Sequence, residues 1–214
     1  MGRASRVIAY IESLVTFKLE KYAEREQHMG VTITDAILQA GIDFESVVRP
    51  RLHDVRQHSQ ARTTSGFLAL LKSQGVNSIL RWKGERKPRT VLDVAELLAA
   101  DSVETELDLK AWLEVPDNVA RLLKIKGVGP KTLDYLQILA GVPTVAIDRH
   151  LERFLKDAGV TVGSYEEARD VLLQVARRMG VNPAQLDYTI WKYKSDEKPG
   201  LTGRCRQRQK SGHA

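Results

Sequence analysis

The 214-residue sequence predicts an all-α, multi-helix fold, and three observations carry that prediction. Apolar residues recur at helical spacing through almost every stretch of the chain. Glycine, proline and short polar runs punctuate those stretches at helix-sized intervals. Strand-type alternation is absent, with Thr144–Ile147 the one short extended candidate and no internal repeat.

Taken in order, Ile8, Ile11, Val15, Leu19 and Tyr22 form a stripe, widened by Val7 and Leu14, that predicts a long first helix to about Glu26. Met29-Gly30 closes it, and Thr34 is placed to cap a short helix through Ala40. Phe44–Val55 is helical in pattern, with Pro50 expected to break or kink it. Ser65–Leu71 follows, set apart by the polar stretch Arg56–Thr64. Val91, Val94, Leu97 and Leu98 define the next helix, entered from Lys87-Pro88-Arg89-Thr90, and Leu107–Leu113 makes a short one. Asn118–Lys124 leads into a turn, Lys126-Gly127-Val128-Gly129, after which Pro130 opens a helix that Gly141-Val142-Pro143 stops. Asp148 sits at an N-cap position before Leu151–Ala158, and Ser164–Met179 and Pro183–Tyr193 complete the set.

Composition narrows the class. No apolar run approaches the roughly 20 residues of a membrane span, and the charges within Ile8–Glu20 argue against a secretory signal. A cytoplasmic, nucleoid-associated monomer is expected. The single thiol, Cys205, permits neither an internal disulfide nor a four-ligand iron–sulfur cluster. The five histidines lack zinc-ligand spacing, so no metal site is expected. A net charge of +6 and pI near 9.4 point to a polyanionic partner, although much of the excess lies in the tail 198–214, which reads as disordered.

Two glycines flanking one apolar residue let the backbone turn sharply and approach a ligand without Cβ interference. The N–H groups around Gly127, Gly129 and Lys131 then lie free at a helix N-terminus, where the helix dipole favours an anion. Lys126, Gly127, Val128, Gly129 and Thr132 are therefore assigned to phosphate binding, with Val128 buried to hold the turn. A monovalent cation at the hairpin is left open; no other cofactor is expected.

The stretch Leu123–Leu151 resembles the helix-hairpin-helix and Gly/Pro-Asp motif of the endonuclease III superfamily of DNA glycosylases. The matching residues are Gly127-Val128-Gly129-Pro130-Lys131-Thr132, Gly141-Val142-Pro143-Thr144 and Ile147-Asp148-Arg149-His150, about thirty of the 214. Tyr188–Tyr193, with Trp191, is similar to that family's late helix. The resemblance implies a glycosylase-like domain over residues 1–197, with two lobes flanking a cleft as one arrangement. It also implies a partner, double-stranded DNA containing a damaged base or an abasic site. Lys131 matches the family's nucleophile and Asp148 its carboxylate. On this pattern the lysine attacks the sugar, displaces the base and leaves a Schiff base whose elimination cuts the strand, while the carboxylate steadies positive charge on the sugar.

Each residue also has a plainer role. Lys131 could only contact phosphate, and Asp148 could only cap its helix. Two other readings therefore stand beside the glycosylase with lyase activity: a monofunctional glycosylase in which Asp148 acts on water, and a non-catalytic DNA-binding module. His150 is given no catalytic role. Arg149 stands where the family usually has a small residue and is assigned to DNA binding. For the wedge that fills the gap left by a flipped base, the nearest match is Gln60 in Ser59-Gln60-Ala61-Arg62-Thr63. Arg81 and Lys83, in the basic segment Arg81–Arg89, are candidates for clamping a strand. Nothing in the sequence identifies the damaged base.

Overall fold

Ten consecutive residues, Met29–Leu38, are all buried and form helix α2, around which much of the protein packs. In the computed structural model, which describes residues 2–21, 27–39 and 41–196, the elements are twelve α-helices with no strand among the described residues. They run α1 (Arg3–Ser13), α2, α3 (Arg49–Arg56), α4 (Thr64–Gln74), α5 (Val76–Ile79), α6 (Arg86–Ala100), α7 (Glu106–Leu113), α8 (Pro116–Leu123), α9 (Pro130–Ala140), α10 (Arg149–Asp157), α11 (Tyr165–Met179) and α12 (Pro183–Asp196). A π-helical turn, Phe44–Val48, precedes α3, and a 3₁₀ turn, Ser59–Arg62, precedes α4.

Two large hydrophobic cores result, with a small cluster of Ile138, Ala146 and Ala184 beside them. The first gathers apolar residues of α2 through α9, among them Ile33, Phe67, Leu98, Leu122 and Leu136. The second joins α1 to the C-terminal helices, with Val7, Leu151, Phe154, Leu172 and Ile190. Some buried polar groups tie elements together. Glu106 accepts from the His28 N–H (2.8 Å) and the Thr32 hydroxyl (2.9 Å), fixing α7 to α2.

The first helix ends at Ser13 and does not continue to Glu26. Tertiary packing overrides the stripe: Phe17 leaves the helix to pack on Phe154 and Tyr193, and Val15 is left 94% exposed. The chain then runs beside α12, where Glu20 N–H donates to Thr189 Oγ1 (3.1 Å) and Gln185 Nε2 to Glu20 O (2.9 Å). Tyr22–Glu26 lie outside the described residues. Thr34 is not a cap: α2 starts five residues earlier, with His28 Nδ1 accepting from Val31 N–H, and Thr34 is buried inside the helix. Ala40 also lies outside the described residues.

The run from Phe44 divides at Pro50: the π turn ends at Val48 and Pro50 falls in the first turn of α3, where its missing N–H costs nothing. Likewise Pro88 lies in the first turns of α6, which begins at Arg86. The four-residue α5 has no counterpart in the sequence pattern. No helix among the described residues is long and apolar enough to cross a membrane, and no cluster of three metal-ligating side chains is found among them. Cys205 and the basic tail lie outside the described residues.

Candidate active site

The turn between α8 and α9 is set by Gly127, whose φ of +99° lies in the region that favours glycine. A Cβ there would also meet the Thr90 Oγ1 at 2.6 Å. That hydroxyl donates to the Lys126 carbonyl (2.9 Å), so α6 acts as a strut for the turn. Gly129 differs. Its φ is −120° and a Cβ would meet nothing within 4 Å, so the fold itself does not require glycine there. Val128 is 7% exposed and enters the first core, leaving only its backbone for a ligand. Thr132 is likewise buried, whereas Lys126 is exposed.

Lys131 is the second residue of α9, immediately after this turn. Asp148 caps α10, its Oδ1 accepting from His150 N–H (2.8 Å) and Leu151 N–H (3.1 Å). The connector between the two helices is pinned on both sides. Thr144 Oγ1 donates to Asp134 on α9 (3.0 Å), and Ala146 N–H donates to Asp187 Oδ2 on α12 (2.7 Å). Asp134, 2% exposed, also accepts from the Tyr165 hydroxyl of α11 (2.7 Å). Burial pushes the Asp134 carboxyl up, with these hydrogen bonds and Arg169 opposing.

With the connector so held, Lys131 and Asp148 line one cavity of about 520 Å³. The cavity draws its wall from both halves of the fold: Thr32 and Asp35 of α2, Phe44 of the π turn, Arg49 and Arg56 of α3, Tyr135 of α9, and Asp187, Tyr188 and Trp191 of α12. The α12 residues recur at i, i+1 and i+4, placing them near one face of that helix. Tyr188 and Trp191 stack at 6.1 Å between centroids, and Phe44 and His150 meet Trp191 edge-on, each at 6.4 Å. Tyr135 donates its hydroxyl to Asp35 Oδ2 (3.1 Å). The volume suits a small aromatic ligand.

Asp187, Asp35, Phe44 and Arg56 are wall residues that the motif reading missed. One signal was available, since Asp187 precedes Trp191 by one helical turn. Burial pushes the Asp187 carboxyl up to about 7; the charges of Asp148 and Asp134 add to this, while Ala146 N–H and Lys131 oppose it. His150 is pushed down, mainly by burial.

The other predicted contacts lie elsewhere. Gln60, Arg81, Lys83 and Arg149 are exposed and none lines the cavity. Gln60 sits in the 3₁₀ turn, whereas Gln39, the C-cap of α2, is on the cavity wall. Arg81 pairs with Asp54 (2.9 Å), and Arg149 Nε reaches His150 Nε2 at 3.4 Å.

The arrangement of helices is an all-α, endonuclease III-like fold. It is similar to a chain in the structure of a trapped endonuclease III–DNA covalent intermediate, the estranged-adenine complex. The TM-score is 0.59 over 89% of this chain and 84% of that one, at 20% identity. The chain belongs to the family described as a domain of unknown function, DUF8548, whose model matches residues 6–195.

Proposed function

We propose that this protein is a base-excision DNA glycosylase with lyase activity, holding DNA by the Lys126–Gly129 hairpin and working in the cavity beside it. One observation carries the reading: Lys131 and Asp148, from the starts of successive helices, line the same aromatic-walled cavity. A lysine serving only to grip phosphate, or an aspartate serving only as a cap, would have no need of a shared pocket.

In this reading the N–H groups of Gly127, Gly129 and Lys131 receive a backbone phosphate. The flipped base enters the cavity and meets the rings of Trp191, Tyr188 and Phe44. The Lys131 amine attacks C1′ of the sugar, and the glycosidic electrons leave with the base. The Asp148 carboxylate stabilises the positive charge that develops on the sugar. Ring opening gives a Schiff base on Lys131, and loss of a proton from C2′ expels the 3′ phosphate. The endonuclease III complex supports the reading at the level of fold.

Borohydride reduction in the presence of duplex DNA containing an abasic site is expected to trap a covalent adduct, and Lys131→Ala to abolish it. A wild-type protein that traps nothing, or a Lys131→Ala protein that traps as well, would end the lyase assignment.

A further inference from the structure

Resting on the glycosylase reading, we propose that Asp187 is the proton donor to the departing base. Three carboxyls line the cavity; Asp35 accepts from the Tyr135 hydroxyl, and the other two lie in unlike surroundings. Asp148 takes two backbone N–H donors at a helix N-terminus through one oxygen. Asp187 takes a single backbone donor, Ala146 N–H, through Oδ2. Its Oδ1 is bonded to no described residue, and the side chain is part of the cavity wall. The tether from Ala146 fixes the carboxyl against the connector that also delivers Asp148. One helical turn along α12, Trp191 supplies the aromatic surface on which the base would rest.

Where two acids share a pocket and their environments push them apart, the one kept neutral acts as acid and the other as anion. The groups facing Asp187 are Lys131 and Asp134 of α9 and Asp148 at the head of α10, with Asp35, Arg49 and Arg56 elsewhere on the wall. Burial, with smaller contributions from Asp148 and Asp134, pushes the Asp187 carboxyl up to about 7, the range in which a general acid is most effective.

The step balances within the site. The Lys131 lone pair forms the Nζ–C1′ bond, and the C1′–N bond breaks with its electron pair going to the base. The Asp187 proton moves to that base, so a neutral base leaves. The new secondary ammonium on Nζ then gives up its proton to water, and the Asp187 carboxylate takes one back from water before the next turnover. No outside oxidant, reductant or metal enters the step.

The test compares base release with trapping at a site that has no base to lose. Duplexes carrying 8-oxoguanine, uracil, hypoxanthine, 7-methylguanine or thymine glycol, and one with a preformed abasic site, are given to wild type, Asp187→Asn and Asp187→Glu. Asp187→Asn is expected to slow single-turnover base release roughly 100-fold or more, and to lack the decline in rate expected of wild type as pH rises through about 7. Borohydride trapping at the preformed abasic site is expected to stay near the wild-type level. Asp187→Glu is expected to recover part of the release.

The proposal is overturned if Asp187→Asn releases base as wild type does, or keeps the same pH profile. It is also overturned if trapping and release fall together, since Asp187 would then be positioning Lys131. A wild type that traps but releases none of these bases removes the glycosylase step and the donor with it. A wild type that does neither refutes the proposed function itself.

Discussion

Two parts of the cavity wall are held in different ways. The hairpin leading to Lys131 is a local construction, in which Val128 N–H donates to Ile125 O (3.0 Å) and the Val128 side chain enters the first core. A strut from further away, the Thr90 hydroxyl on the Lys126 carbonyl, braces it. The α12 segment, Asp187 to Trp191, is placed by chain remote in sequence. Ala146 holds Asp187, Thr189 and Lys192 bond to Glu20, and Phe44 and His150 close on Trp191. The hairpin can therefore keep its shape while the α12 wall varies. Changes in the first should act on the holding of DNA, and changes in the second on the fate of the base.

The largest effect is expected at Asp148, where the two parts are joined. Asparagine caps a helix about as well as aspartate, so Asp148→Asn keeps the two N–H contacts and removes only the charge. Base release should fall roughly 100-fold or more, with a Tm change of no more than a few degrees from the lost helix-dipole term. If Tm collapses and activity merely follows it, Asp148 is a cap and nothing more.

Within the hairpin the two glycines are expected to separate. Gly127→Ala puts a Cβ 2.6 Å from Thr90 Oγ1 at a left-handed residue, a strain of about 1–3 kcal/mol, so thermal stability and DNA binding should fall together. Gly129→Ala meets open space, so Tm should hold while duplex affinity drops by about tenfold, about 1.4 kcal/mol. Calorimetry and a binding titration on the same two proteins decide it. Equal behaviour of the two would mean that no phosphate approaches Gly129.

The same contrast explains what could be read in advance. The hairpin, the Asp148 cap and the helix beginning at Pro130 depend on neighbours within a few residues, so residue type and spacing reveal them. The end of α1 at Ser13 depends on Phe17 reaching Phe154 and Tyr193, a contact no local pattern encodes. Asp35, Phe44 and Asp187 come to one cavity only after two cores have formed. The motif gave Lys131 and Asp148; the wall around them required the fold.

A smaller effect tests the α12 wall alone. The Asp187 carboxyl titrates at about 7 in the folded chain against an ordinary 3.8. Between those values the folded state binds the extra proton, so stability from this group declines as pH rises from about 4 to 7 and stays low above. Asp187→Asn cannot ionise and its amide oxygen can still accept from Ala146 N–H. Its Tm relative to wild type should therefore climb between pH 5 and pH 8, by roughly a few degrees. A difference that is flat with pH would show Asp187 ionised across that range, and the proton-donor assignment would fail with it.

The smallest effect concerns the basic segment that begins at Arg81. It is a turn braced by its neighbours: Asn77 Nδ2 donates to the carbonyls of Trp82 (2.9 Å) and Gly84 (3.2 Å), and Arg51 to the Arg81 carbonyl (3.1 Å). The Arg51 guanidinium lies 5.0 Å from the Trp82 ring, so that ring already packs within the protein. Arg81 shares its charge with Asp54, whereas Lys83 is exposed and bonded to no described residue. If this turn tracks the duplex, Lys83→Ala should reduce the slope of log affinity against log salt by about 0.9, one phosphate contact. Arg81→Ala should reduce it by less, because its guanidinium is already engaged. Equal reductions would mean that Arg81 leaves Asp54 for phosphate when DNA binds. No reduction from either would confine the DNA track to the hairpin side.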